Sequence, residues 1–448
     1  LDTLPPEEKR VAQDAAVVGR IFWDVSVAHL AGSERHPTHE LIRRLRVKDL
    51  VVQRSPSAMA EAAEVGFRHV LIRDVAYDSL PKRDRSRLHR DIALWAESEL
   101  TDRIDEFSEL IAGHLASALA YEEEFTEDPA ELLAIREPTY VAAKRAAQRA
   151  QAMSQYDASN RWLRLAIDLA WQIGAPTREI ADLTAKYAVV AWQTTDPEEA
   201  ERALTRAIDA WRPDVNDSDD DRLLMAELRD NRGSAYFGQG DVEHARQELG
   251  SAIADLEPGP PSEARALLLN RLGWTYWRAG PVEEAVPIIE RAIAEAEASG
   301  ADDVLRWAKH ELGVTYAMLG RTNEGVALLE QSLEMAQAAG DRELLLRCYV
   351  NLPATREQRG DPIESLVAMS LEGLQLARRL AASQYITWIA SNRADHLYEL
   401  GLVAEAEEQQ SEAITHGQIV SFMHLGSQYV DRALFRLWLG DREGAAAD

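Results

Sequence analysis

Six glycines recur at a nearly constant interval through the second half of the chain. Gly240, Gly280, Gly320, Gly360 and Gly401 sit in "GQGDVEHARQEL", "RAGPVEEAVPII", "MLGRTNEGVALL", "QRGDPIESLVAM" and "ELGLVAEAEEQQ", about forty residues apart, and Gly440 in "WLGDREGAA" opens another copy. A fixed period of this length over residues 224–448 means stacked copies of one supersecondary unit, each burying its apolar face only against its neighbours. Before each glycine the pattern predicts a helix with a small residue three before an aromatic: Gly233 and Tyr236, Gly273 and Tyr276, Gly313 and Tyr316. After it a second helix carries Ala245, Ala252, Ala285 and Ala292 where two helices must approach closely. The glycine supplies the permissive backbone for the sharp turn between them.

These positions resemble the tetratricopeptide repeat over three successive copies. The likeness continues outward with departures. Pro353 stands in place of the first-helix glycine and Glu372 in place of a small residue, which predicts a kinked or loosely packed unit. Upstream, the second-helix pattern persists at Ala207 and Ala166, for a total of about seven repeats plus a partial C-terminal one. The spacing exceeds the usual ~34 residues and stretches to 45 between Ala207 and Ala252, where "PDVNDSDDDR" is inserted. Read as a calcium loop from Asp214, that run has Asp219 and Met225 where Gly and Glu are required, so a solvated inter-repeat loop is expected.

The resemblance implies that the first helix of each pair lines a groove, with an Asn two residues before the small position clamping a bound peptide. Asn231, Asn351 and Asn392 match that place and Asn270 lies one residue earlier. The same register turns Trp274, Trp277, Trp307, His310, Trp388 and Tyr398 toward the groove. Aromatic anchors with amide hydrogen-bonders suit a protein, a peptide or a small effector. Burial of individual tryptophans between repeats is the alternative reading at each position.

With 448 residues and 46% apolar composition the chain can form more than one core. Residues 1–100 hold 16 Lys+Arg against 16 Asp+Glu, so the whole net charge of −27 lies beyond them. An acidic surface of that length opposes nucleic acid. No stretch approaches the ~20 apolar residues of a membrane span, and the single cysteine, Cys348, is the usage of a reducing compartment. A soluble, cytoplasmic protein is expected. The chain opens with Leu1 and is read as part of a longer polypeptide.

The N-terminal hundred residues have a different texture. Residues 6–30 read as helical, "ELIRRLRVKDLVV" as a second helix, and Leu50–Arg54 and Val65–Val70 as two extended pieces joined by a loop. With "GFRHVLIRDVAYDSL" and "PKRDRSRLHRDIALWAESEL" this segment resembles the winged-helix region of STAND-type signal-transduction ATPases, found in bacterial cyclases and large transcriptional regulators that carry tetratricopeptide-like sensor arrays. The resemblance implies that His69 contacts the β-phosphate of ADP bound to an ATPase domain, although Arg68 and Val70 replace the family's flanking Met and Asp. A capping or structural His is the alternative. Arg68, Arg73 and Arg87 would add anion affinity or simply be solvated.

No G-x-x-x-x-G-K-[ST], G-x-S-x-G, H-E-x-x-H or Cys pair occurs, and "HPTH" at His36–His39 is a loop-like pair without further ligands nearby. The chain is therefore read as noncatalytic, without metal or cofactor of its own, ADP or ATP belonging to the full-length protein. The expected fold is mainly α: a small winged-helix domain with a minor β-hairpin over 1–100, a connecting helical segment over 101–135, and a superhelical solenoid over 136–448. Three functions fit. The solenoid senses a ligand and the winged helix relays this to the chain's own upstream ATPase domain; or the repeats are a constitutive protein-interaction scaffold; or the basic runs "RRLRVK" and "KRDRSRLHR" bind DNA as part of a transcriptional regulator, which the zero net charge there disfavours.

Overall fold

Gly19 interrupts the first helix. Residues 6–30 do not form one helix: α1 (Pro6–Val18) stops at Gly19, whose φ of 149° favours glycine, and the chain passes through β1 (Ile21–Trp23) into α2 (Asp24–Leu30). Three residues are too few to show strand alternation in a sequence. The structure, a computed structural model, describes residues 3–59, 62–153, 155–194, 197–212, 218–257, 259–419 and 425–448. It contains two units, Leu1–Asp196 and Pro197–Asp448.

In the first unit α3 (Arg35–Val47) leads into β2 (Val51–Gln53) and β3 (Glu64–Phe67). The "HPTH" pair lies in the first turn of α3, not in a loop. The strands form one antiparallel sheet in the order β1-β3-β2, with Phe22 opposite Val65 and Val52 opposite Gly66. The second extended piece ends earlier than expected, because Val70 already belongs to α4 (Val70–Asp78). Rings join the strands, Phe22 meeting Phe67 at 5.4 Å, and tie the sheet to Phe107, which Trp23 meets edge-on at 5.8 Å. The buried carboxylate of Asp24 fixes the corner, accepting from the Ala63 N–H at 2.8 Å and the Arg35 Nε at 2.9 Å. Helices α5 (Lys82–Glu99), α6 (Ser108–Phe125), α7 (Pro129–Ala152), α8 (Tyr156–Ile173) and α9 (Thr177–Thr194) then pack each on the next.

The second unit opens with α10 (Pro197–Trp211) and continues in helix pairs: α11 (Asp219–Gly238) with α12 (Val242–Leu256), α13 (Glu263–Ala279) with α14 (Ala285–Ser299), α15 (Asp302–Met318) with α16 (Thr322–Ala339). Then come α17 (Arg342–Arg359) with α18 (Ile363–Arg379), α19 (Ser383–Glu399) with α20 (Val403–Ile419), and α21 (Leu425–Trp438) with the short α22 (Arg442–Ala447). The first part of the inserted acidic run, 213–217, lies outside the described residues; its remainder starts α11, where the Ser218 hydroxyl accepts from the Asp221 N–H at 3.2 Å.

The periodic glycines turn between the helices of each pair with φ from 70° to 91°. The first-helix glycines serve close approach instead: a Cβ on Gly273 would stand 2.3 Å from Ile289 Cγ1, and one on Gly313 would stand 2.9 Å from Leu329 Cγ and 3.0 Å from the Gly325 carbonyl. The aromatic three residues on reaches the preceding second helix. Tyr316 donates to Glu290 at 2.7 Å, and the Arg246 guanidinium lies 3.9 Å from the Tyr276 ring centre.

The fourth of these pairs needs a correction. Glu372 is not the small-position residue, because the turn after Gly360 contains one more residue than the others: Gly240, Gly280 and Gly320 are followed five residues later by Ala245, Ala285 and Gly325, whereas Gly360 is followed six residues later by Leu366. The small residue is Gly373, whose Cβ would lie 2.5 Å from Tyr349 Cβ. Pro353 sits buried inside α17, and the helix continues through it from Arg342 to Arg359.

Candidate ligand-binding site

The second helices cover one side of each first helix, and first helices also pack on one another in the sequence α11, α13, α15, α17, α19. Counted back from the turn glycines, the ninth residue is Asn231, Arg271, Glu311, Asn351 and Asn392 in successive copies. Several of these reach to the tenth-place residue of the preceding copy. Arg271 forks onto Asp230 at 2.8 and 3.1 Å, Asn351 Nδ2 donates to His310 Nε2 at 3.0 Å, and Asn392 Nδ2 donates to the Val350 carbonyl at 3.1 Å. At Glu311 the rung runs the other way, with Trp277 Nε1 donating to its carboxylate at 2.9 Å.

The aromatic residues gather on these rungs. Trp274 is buried, 4.5 Å from the Phe237 ring, with the Arg271 and Arg278 guanidiniums 5.2 and 5.8 Å from its centre. Trp277 is half-buried with Arg278 at 5.4 Å. Trp307 donates to Asp341 at 3.1 Å and has Arg347 over its ring at 5.3 Å; Asp341 also caps α17 by accepting from the Leu344 N–H. His310 is fully buried beside Trp307, its Nδ1 3.5 Å from Glu311. Trp388 packs on Tyr385, Tyr398 lies 5.1 Å from Phe435, and Asn231 is half-buried. The Asn270 Oδ1 is buried with no hydrogen-bond partner among the described residues.

Sequence reasoning picked the rings and amides and passed over the arginines. Burial would raise the Glu311 carboxyl, but contact with His310 and the charges of Arg347 and Arg271 outweigh it and hold the group below its usual range. Among the described residues Arg278 and Arg347 have no carboxylate or carbonyl partner, and the Arg347 Nε is buried unbonded. Burial, and then the like charge of Arg347, lower the pKa of Arg278. The signal was present in the spacing: Arg271, Trp274 and Arg278 fall on one helix face, and Arg347 occupies the place held by Trp307 and Trp388 in the neighbouring copies.

In the first unit His69 occupies the N-cap of α4 with extended backbone, and its exposed side chain makes no capping bond. The nearby arginines are engaged. Arg68 pairs with Asp49, Arg73 donates to the Ala16 carbonyl at 3.0 Å, and Arg87 pairs with Asp91 at 3.0 Å. Behind α4 runs a polar relay absent from the sequence reading: Tyr121 to Tyr77 at 3.0 Å, Tyr77 to His89 Nε2 at 2.8 Å, and His89 Nδ1 to His114 Nδ1 at 2.8 Å. Burial, and for His89 then the His114 charge, push these imidazoles down to about 3 and about 4. Among the described residues no group of three or more His, Cys, Asp or Glu is arranged to hold a metal ion, and no helix is long and apolar enough to cross a membrane.

No family model matches the chain, and a search of curated proteins finds no match. Among solved structures it is similar to a Signal Transduction ATPase with Numerous Domains protein with a tetratricopeptide repeat sensor from Pyrococcus horikoshii, at 13% identity and a TM-score of 0.49. That alignment covers 99% of this chain but 62% of the other, so the chain spans under two thirds of that protein's length. It is also similar to the Rap conjugation gene regulator of plasmid pLS20 in complex with the Phr* peptide (14% identity, TM-score 0.48, 76% of this chain and 94% of that one) and to a Rap protein complexed with competence and sporulation factor (13%, 0.45, 81% and 94%). The helix pairs, their turn glycines and their close-packed small residues make this chain a mainly α protein of tetratricopeptide-type helical repeats with a minor three-stranded sheet.

Proposed function

We propose that the chain is a noncatalytic, cytoplasmic sensor module of a STAND-type ATPase. The strip of first helices in the second unit binds a protein or peptide, and the first unit relays occupancy to a nucleotide-binding domain carried elsewhere in the polypeptide. The observation that carries the binding half is the pair of unpartnered guanidiniums, Arg278 and Arg347, laid over indole rings. Side chains of this kind contribute most of the energy at protein interfaces. The relay half is supported by the element order of the first unit, helix, strand, helix, helix, strand, strand, with the first strand beside the last, which is that of a winged helix. It is supported too by the apolar surface beside His69, where Val70, Leu71 and Val75 are 49%, 71% and 57% exposed. His69 would donate to an ADP phosphate there, since its exposed side chain makes no capping bond and is committed to no hydrogen bond among the described residues.

The test is to purify the polypeptide extended upstream of Leu1 and measure bound nucleotide in wild type and His69→Ala. ADP retained by the wild type and lost in the variant is the expected result. A missing nucleotide-binding region, or retention indifferent to His69, overturns the relay and leaves a constitutive interaction scaffold.

A further inference from the structure

The strip changes sign along its length. At the α13 end the exposed Arg278 has no ion-pair partner among the described residues, Glu311 acting on it only at longer range, whereas Arg347 on α17 lies in the field of Glu311 and Glu343. On α19, two and six residues before the turn glycine, the places that hold Arg278 and Trp274 on α13 hold Glu399 and Asp395. Asp431 on α21 and Glu357 on α17 act on the Asp395 carboxyl, and among the described residues no cation pairs with Asp395, Glu399 or Asp431. Arg278 and Asp395 are both open to solvent, and the protein packed around them partly desolvates their charges. In a chain of net charge −27, a cation unpaired among the described residues at one end of a strip whose other end holds similarly unpaired carboxylates is a directional feature.

The two ends are three helix-to-helix steps apart, from α13 through α15 and α17 to α19. At about 8–10 Å per step this is roughly 24–30 Å, the length of about eight residues of extended chain at about 3.3 Å each. Resting on the binding reading above, we propose that the strip takes an extended peptide with a carboxylate at one end, seated on Arg278, and an ammonium or guanidinium about eight residues away, seated on Asp395 and Glu399. The indole of Trp277 lies at the carboxylate end, so an apolar neighbour of the carboxylate is favoured there.

The probe is a synthetic library of random peptides about ten residues long, a little over the span above, incubated with the full chain, with retained peptides sequenced by mass spectrometry. Arg278→Glu and Asp395→Lys alter exposed, unpaired side chains, and circular dichroism verifies that both variants keep their helices. Wild type is expected to enrich peptides acidic at one end and basic at the other. Arg278→Glu should lower the acidic preference about tenfold while leaving the basic one, and Asp395→Lys should do the converse. Enrichment without charge polarity, or polarity unmoved by either substitution, overturns this proposal and leaves peptide binding standing. No enrichment over the Arg278→Glu/Asp395→Lys double variant overturns both.

Discussion

The buried pair His89 and His114 makes the first unit acid-labile in a range where carboxylates are still ionised. Both imidazoles are held neutral in the fold, at about 3 and about 4, against an ordinary value of 6.5. Their folded values are depressed, so the unfolded chain takes up protons first as the pH falls. Stability is intact above about pH 6.5 and is lost progressively down to about pH 4 for His114 and about pH 3 for His89. At pH 5 each site lies 1.5 units below 6.5, a cost of about 2 kcal/mol at 1.36 kcal/mol per unit, hence about 4 kcal/mol for the pair. That is a large share of a typical domain's stability of about 5–15 kcal/mol. The shared Nδ1–Nδ1 bond adds to the effect, because it needs one nitrogen with a proton and one without. Amide hydrogen exchange of α5 and α6 at pH 7.5 and pH 5, corrected for the intrinsic exchange rate, reads it directly. Protection should fall by two to three orders of magnitude, as about 1.4 kcal/mol per decade implies. In His89→Gln/His114→Gln the loss between the two pH values should disappear. Protection in the wild type that holds from pH 7.5 to 5, or imidazoles that titrate near 6.5 in the folded chain, would refute the reasoning.

Three further outcomes follow from the second unit. Gly273→Ala should cost about 1–3 kcal/mol in urea unfolding through overpacking, and Gly233→Ala less, since its Cβ would stand 3.0 Å from the Leu249 side chain instead of 2.3 Å from Ile289. Asp395, raised to about 6 first by desolvation and then by Asp431, Glu357 and Glu399, opposes folding while ionised. Asp395→Asn should therefore unfold at higher urea than wild type at pH 8, and the gap should close as the pH falls from about 6 toward 4. The Cys348 thiol, pushed up to about 12 by burial, should resist a disulfide exchange reagent in the native chain and react fully in urea.

The repeat was legible because two independent demands leave marks in the sequence. A sharp turn asks for glycine in the left-handed region, and a helix crossing asks for a missing side chain, as at Gly273 against Ile289. Strand β1 left no such mark, being three residues of Ile-Phe-Trp whose partners come from 64–66. The relay was equally silent, since nothing local joins His89 to His114 twenty-five residues away on another helix. In the candidate site the indoles and amides stood out by type, while arginine on a helix face ordinarily signals solvent. Only the rings beneath Arg278 and Arg347, and the lack of an ion-pair partner for either among the described residues, give those two cations meaning.

The extra residue after Gly360 has a bearing on how such an array tolerates change. A residue added inside a helix would turn everything beyond it by about 100°, carrying a packed face into water. Added in the turn, it is taken up before Leu366, and Gly373, Leu374 and Ala377 all return to the interior. The turns act as expansion joints: length can drift there by a residue without the error reaching the next copy, so insertions for tags or probes belong at Gly320 or Gly401, and never between a first-helix glycine and its aromatic.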